Sequence, residues 1–162
     1  MRRLAEWVAT IGGVGYCPIA PGTAGSVAGV ALGLATVRAC PASVILVWLG
    51  LGLALAVLVS GMTERARGIL DPSFVVIDEC WAMWAILVCV PEATRAWGLG
   101  VLAFVSFRFF DVVKPPPLKR LARLPGGVGI VFDDVGAAAY TILVLWLVMK
   151  IAGCIHAGVS RA

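Results

Sequence analysis

The run Ala42-Ser43-Val44-Ile45-Leu46-Val47-Trp48-Leu49-Gly50-Leu51-Gly52-Leu53-Ala54-Leu55-Ala56-Val57-Leu58-Val59-Ser60 holds no charged side chain, and Glu64 and Arg65 come after it. As a helix it is about 28 Å long, close to the roughly 30 Å of a bilayer's hydrocarbon core. Four further apolar segments lie near 24–40, 75–90, 96–110 and 134–153. Several are short, and are expected to be tilted, re-entrant or partly buried among the others. The fold class this predicts is all-α: an integral membrane helix bundle of about five apolar segments, forming a single domain over residues 1–162.

Composition agrees. Of the 162 residues, 61% are hydrophobic and 14% charged, and the mean hydropathy is +1.01, which excludes an ordinary soluble domain. Nothing in the pattern points to nucleic acid, and the oligomeric state is open. The five cysteines form no CxxC pair and lie mostly in apolar runs, so they read as small packing residues rather than a disulfide framework. Leu4, Trp7, Val8 and Ile11 fall at helical spacing beside Arg2, Arg3 and Glu6, which predicts an N-terminal amphipathic helix on the membrane surface. Gly12, Gly13, Pro18 and Pro21 break up the next stretch of chain, against a cleaved signal peptide.

Basic residues orient a five-span chain. Arg2, Arg3, Arg65, Arg67, Arg108, Lys114, Lys119, Arg120 and Arg123 share one side, and Arg38, Arg95, Lys150 and Arg161 the other. By the positive-inside rule the first side is cytoplasmic. Asp71, Asp78, Glu79, Asp111, Asp133 and Asp134 then fall at that same face.

The doublets Asp78-Glu79 and Asp133-Asp134 each stand at the start of an apolar segment, where unpaired carboxylates are costly. Small residues come one turn on: Ala82, Ala137 and Ala138. Two such doublets on facing helices offer hard oxygen ligands and room for a hydrated Mg2+, which is commonly held by one or two carboxylates plus a substrate phosphate. Two other readings fit the same residues: ion pairs with Arg65, Arg108 or Lys114 that lock the bundle, or a proton relay in a small membrane cation transporter. A non-enzymatic membrane subunit would explain the hydrophobicity but not the motifs together. His156 lies away from the acids, which argues against histidine-based chemistry.

In Phe107-Arg108-Phe109-Phe110-Asp111-Val112-Val113-Lys114-Pro115-Pro116-Pro117, Arg108 and Lys114 suit phosphate oxygens and Asp111 can orient one of them or join the metal. Lys119, Arg120 and Arg123, before Gly126-Gly127-Val128-Gly129, make a basic, flexible stretch that suits an anionic leaflet. In Cys17-Pro18-Ile19-Ala20-Pro21-Gly22-Thr23-Ala24-Gly25-Ser26, Thr23 or Ser26 can cap the next helix, whose free amides favour an anion.

Together these motifs resemble the phosphatidylglycerophosphatase A family of bacterial membrane lipid phosphatases. The matching pieces are Pro18-x-x-Pro21-Gly22-Thr23-x-Gly25-Ser26, Asp71-Pro72 leading to Asp78-Glu79 and Trp84, the Phe107–Pro117 string, and Gly126-Gly127-x-Gly129-Ile130-x-x-Asp133-Asp134. The resemblance implies Mg2+-dependent hydrolysis of phosphatidylglycerol phosphate to phosphatidylglycerol and inorganic phosphate, by a multi-pass protein of the bacterial cytoplasmic (inner) membrane with its active site facing the cytoplasm. It also implies Asp78, Glu79, Asp133 and Asp134 as the metal and catalytic set, and Thr23, Arg108, Asp111 and Lys114 as substrate-binding or supporting residues. Departures from the family pattern are Ala82 and Ala138 where glycine is expected, and Pro116 in place of an aromatic residue.

Overall fold

The computed structural model describes residues 2–159, with side chains through Cys154. His156 therefore lies outside the described side chains and Arg161 outside the described residues. The elements are α1 (Arg2–Ala9), α2 (Pro21–Ala39), α3 (Ala42–Arg67), α4 (Ile77–Cys89), α5 (Trp97–Val113), α6 (Leu118–Leu121) and α7 (Gly127–Val159), with 3-10 turns at Val14–Tyr16 and Pro91–Thr94. No strand occurs among the described residues. Each of the five apolar segments coincides with a helix.

Two helices, α3 and the Gly127–Cys154 part of α7, are long and apolar enough to cross a membrane. Helix α3 turns Ile45, Leu49, Ala56 and Val59 inward while Leu46, Val47, Trp48, Leu51, Leu55 and Leu58 face out. An apolar outer face of that extent matches a lipid surround, and the chain is a membrane protein. The thirteen residues of α4 rise only about 20 Å.

Helix α4 is held by a face of α2 that carries no side chains. Gly22, Gly25, Gly29 and Gly33 recur every three or four residues, and all four are buried. A Cβ on Gly29 would stand 2.4 Å from the Cys80 carbonyl oxygen, and one on Gly25 would stand 2.8 Å from that of Val76. Backbone therefore meets backbone, the close approach that small residues permit in membrane helices. Two indoles reinforce it: Trp84 Nε1 donates to Thr36 Oγ1 at 2.8 Å, and Trp81 Nε1 donates to the Leu49 carbonyl of α3 at 2.9 Å. At the far end Arg38 donates to the Thr94 carbonyl at 3.0 Å.

The core lies where α4, α5 and α7 meet, with Met83, Ile86, Phe107, Leu118 and Leu145 fully buried. Ala82, Ala137 and Ala138 are buried in the same cluster, as the close approach expected below the doublets requires.

Helix α7 starts earlier than the apolar pattern predicts. Gly126 adopts φ 65° and the helix runs from Gly127, so Asp133 and Asp134 sit about two turns inside it rather than at its start. The cause is packing. A Cβ on Gly127 would lie 1.9 Å from the Val57 carbonyl oxygen, and one on Gly129 would lie 2.0 Å from that of Leu124. These glycines, expected as a flexible stretch, are contact points.

Helix α1 packs Ala5 and Ala9 into a small cluster with Val59, Val75 and Ile130. Leu4 and Trp7 face outward. Ile11, expected on the same stripe, lies beyond the helix end at φ 50°. Glu6 accepts from both Arg67 and Tyr16, tying α1 to the end of α3. The cysteines are all free, and Cys80 is the buried one, whereas Cys17, Cys89 and Cys154 are exposed and fill no interior space.

Candidate active site

The ends of α2, α4 and α5 and the second turn of α7 converge on one cavity of about 310 Å³, lined also by Asp71, Pro72, Ser73 and Val75. Asp78 and Glu79 enter it from the first turn of α4. Asp134 enters from α7, and one carboxylate oxygen from each of Asp78, Glu79 and Asp134 lies within 4.8 Å of the others. Asp78 is 5% exposed and Asp134 4%. Unit charges at that separation repel by about 3.5 kcal/mol or more per pair at an effective dielectric of about 20, so the triad calls for positive charge.

Glu79 Oε2 and Asp134 Oδ2 are buried with no hydrogen-bond partner. Orphaned carboxylate oxygens around a shared point, with no nitrogen or sulfur ligand among them, fit a hard divalent cation.

Asp133 stands apart from the triad. It points along α7 toward the end of α5, where Lys114 bonds its Oδ2 while Oδ1 keeps no partner. Lys114 caps α5 with its own N–H bonded to the Phe110 carbonyl at 2.8 Å. Burial alone would lower the Lys114 pKa, but the bond to Asp133 and the nearby Asp111 and Asp134 carry it above its ordinary value, so the cation persists at neutral pH. Arg108 reaches the cavity from α5 with Nη1 2.9 Å from Asp111 Oδ2. That contact is an ion pair without hydrogen-bond alignment, and Nη1 retains its donor capacity.

Seven of the eight residues singled out in the sequence line this cavity: Asp78, Glu79, Arg108, Asp111, Lys114, Asp133 and Asp134. Thr23 does not. Nor does Thr23 or Ser26 cap α2: Ala20 is the N-cap residue, with no side-chain bond, and Ser26 Oγ donates back to the Gly22 carbonyl at 2.9 Å. Pro21 opens the helix, which places Ser26 too far along it to cap.

The residue of that loop that does shape the site is Gly22. A Cβ there would stand 2.3 Å from Glu79 Oε1 and 3.1 Å from Arg108 Nη1. Only the absence of a side chain lets an acid from α4 and a cation from α5 both approach the α2 backbone there. Asp71 also lines the cavity. Of the four non-glycine residues with positive φ among the described residues, three (Ala20, Asp71 and Lys114) line it. Each such conformation costs about 1 kcal/mol, and its concentration here marks a site whose geometry outranks local comfort. Nothing in a single sequence announces it.

Tyr140 donates to the Pro116 carbonyl at 2.8 Å and stacks on Phe110, pinning the 114–117 turn over α7. In α6, Leu118 is buried while Lys119 and Arg120 are exposed. Arg123 lines an adjoining cavity of about 340 Å³ that shares Asp71, Ile130 and Asp133 with the first.

Residues 7–149 match the family described as Phosphatidylglycerophosphatase A. The chain belongs to the phosphatidylglycerophosphatase A family. Among curated proteins it is similar to Phosphatidylglycerophosphatase A of Haemophilus influenzae, 34% identical over 84% of this chain and 83% of that one. The Escherichia coli Phosphatidylglycerophosphatase A is 31% identical over 84% of this chain and 78% of its own length. A Bacteroides thetaiotaomicron protein, provisionally named as a phosphatidylinositol-3-phosphatase, is 33% identical over 87% of this chain and 91% of its own. No solved structure matches. As a member of the phosphatidylglycerophosphatase A family this chain is a phosphatase, and the polar cavity at the end of its apolar helices is the candidate place for that chemistry.

Proposed function

We propose that this single-domain protein hydrolyses phosphatidylglycerol phosphate to phosphatidylglycerol and inorganic phosphate in a Mg2+-dependent reaction at the cytoplasmic face of the bacterial inner membrane. One observation carries the reading: an acidic triad suited to a cation and two cations suited to phosphate, Arg108 and Lys114, line the same cavity. A phosphate monoester satisfies both at once.

Asp78, Glu79 and Asp134 would hold the ion. Bound there, Mg2+ supplies neutralising charge to the phosphate oxygens. Arg108, steadied by Asp111, donates to a phosphate oxygen. Asp133, held at Oδ2 by Lys114, has Oδ1 free to take the proton of the water that attacks phosphorus. The P–O bond opposite breaks, its electron pair leaves with the glycerol oxygen, and that oxygen takes a proton from solvent, to which Asp133 returns the one it accepted. Thr23, near the start of α2 but outside the cavity lining, takes no part in these steps.

In the membrane, α2 to α5 and α7 form the five-segment bundle, with α4 short and packed inside. Helix α1 lies at the surface with Leu4 and Trp7 toward lipid. Its basic side and the basic ends of α3, α5 and α6 face the cytoplasm. A cation transporter is not favoured, because polar residues gather at one end and α4 from Ala82 to Leu87 is buried among apolar neighbours.

The test is phosphate release from phosphatidylglycerol phosphate by purified protein in detergent, with Mg2+ or EDTA, beside helical Asp78→Asn and Asp134→Asn variants. Metal-dependent release that both variants lose is expected. A folded wild type that releases nothing with any divalent ion sinks the proposal, and faster release from phosphatidylinositol 3-phosphate would move the substrate to that lipid.

A further inference from the structure

A second cavity, of about 530 Å³, runs between α2, the later half of α4 and α5, within the size range of ligand pockets. Its walls are almost wholly apolar, including Val30, Leu34, Met83, Leu87, Val101 and Phe104. The acidic site does not account for it, and none of its lining residues belongs to that site.

Two helices connect the cavities. On α5, Arg108 faces the polar site, and Phe104, Val101 and Trp97 come next at steps of four, three and four residues, one continuous helical face. On α2, Gly22 lies under Glu79 and Arg108, while Val27, Val30 and Leu34 continue away from it. The groove therefore starts one turn from Arg108, the phosphate-directed cation, and extends about 12 Å along α5 from Val105 to Trp97. Thr94 and the exposed Arg95 stand at its far end. Its rim is open, with Val27 55% and Val105 58% exposed.

A polar cavity for a headgroup, continued by an apolar groove that opens sideways and ends at a cation, has the shape of one lipid molecule. We propose that the α2/α5 groove holds an acyl chain of the phospholipid whose phosphate engages Arg108, so that the enzyme recognises its substrate by a chain as well as by a headgroup. This rests on the lipid phosphatase reading above. In a bilayer the chain leaves one apolar medium for another, so the groove contributes packing and orientation rather than hydrophobic transfer. With short-chain lipids dissolved as monomers, each methylene newly buried should instead raise kcat/KM by about fourfold.

The experiment uses full-length protein in bilayer nanodiscs and phosphatidylglycerol phosphate carrying a diazirine in one acyl chain. Irradiation is expected to label peptides 27–34 and 97–105, and Val101→Trp, which fills the groove from its rim, should remove most of that label. Equal labelling by a phosphatidylcholine with the same chain would mean that the groove takes bulk lipid, and label confined to the outer face of α3 would mean that it takes none; either overturns the proposal. Kinetics give a second arm. Val101→Trp should lower kcat/KM about tenfold or more for dioctanoyl substrate while leaving hydrolysis of the chain-free headgroup phosphate unchanged. Loss of both, or of neither, overturns it. The two readings separate cleanly: headgroup-dependent label without phosphate release keeps the groove and sinks the hydrolysis, and release with scattered label does the reverse.

Discussion

Lys114 at the C-cap of α5 bonds Asp133 of α7, and it does so from a left-handed backbone conformation, φ 47°. Glycine is the usual residue at such a helix end because it carries no Cβ penalty. Lysine in that position sets an ammonium group against Asp133 in the cavity.

Replacing Lys114 separates the two roles. Lys114→Gly and Lys114→Ala both remove the partner of Asp133, but only glycine relieves the backbone. The glycine variant should be more stable than the alanine variant by about 1 kcal/mol, read from thermal unfolding in detergent. Both should lose roughly tenfold or more in phosphate release. Equal stability of the two would mean that the left-handed cap carries no strain.

The glycine face of α2 divides into two kinds of position. At Gly22 a new methyl meets the ends of Glu79 and Arg108, which can move aside, so Gly22→Ala should fold and lose about a hundredfold in turnover. At Gly29 the same methyl meets the Cys80 carbonyl at 2.4 Å, and no side chain can yield. Gly29→Ala should cost about 1–3 kcal/mol or more in stability. Circular dichroism melts beside activity assays show which lesion is which.

Occupancy of the acidic triad should be visible without catalysis. Mg2+ should raise the melting temperature of the wild type, a linkage worth about 2.7 kcal/mol at a hundred times Kd. Asp134→Asn should blunt that response. In EDTA the same variant should melt at or above wild type, because it removes one of three mutually repelling carboxylates. A variant that is weaker than wild type in EDTA and fully responsive to Mg2+ would refute the assignment of the triad.

Glu6 gives a pH signature far from the site. Its bond to Arg67, then that to Tyr16, hold its carboxyl below the ordinary range. A depressed folded-state pKa means that this tether is fully present above the unfolded value near 4.5 and is lost as pH falls through the folded value. Amide hydrogen exchange of α1 should therefore keep its protection from neutral pH down to 4.5 and lose part of it below that, beyond the intrinsic pH trend. Glu6→Gln should remove that pH-dependent step.

Much of this was legible in the residues. Hydropathy located the helices, because a side chain that faces lipid declares itself in composition, as Leu46, Leu51 and Leu58 do. The doublets and the Arg108 to Lys114 string were legible because charge beside apolar residues is costly. Hidden was whatever depends on backbone approach: Gly22 rather than Thr23 at the site, Gly127 and Gly129 as packing points rather than a flexible stretch, and the left-handed turns at Ala20, Asp71 and Lys114. The division of labour between Asp133 and Asp134 was also closed to sequence, since adjacent helical residues point about 100° apart and only the neighbours decide which one meets Lys114.

The side-chain-free face of α2 bears on how the protein is made. During synthesis α2 and α3 leave the ribosome before α4, so the slot for α4 exists before its occupant arrives. With thirteen residues and two acids in its first turn, α4 is too short to span the hydrocarbon core by itself, and it packs instead against that groove. Asp134 comes last, on α7. A nascent chain that stops short of Gly127 carries Asp78 and Glu79 without Asp134, so the acidic cluster is complete only once α7 has been made.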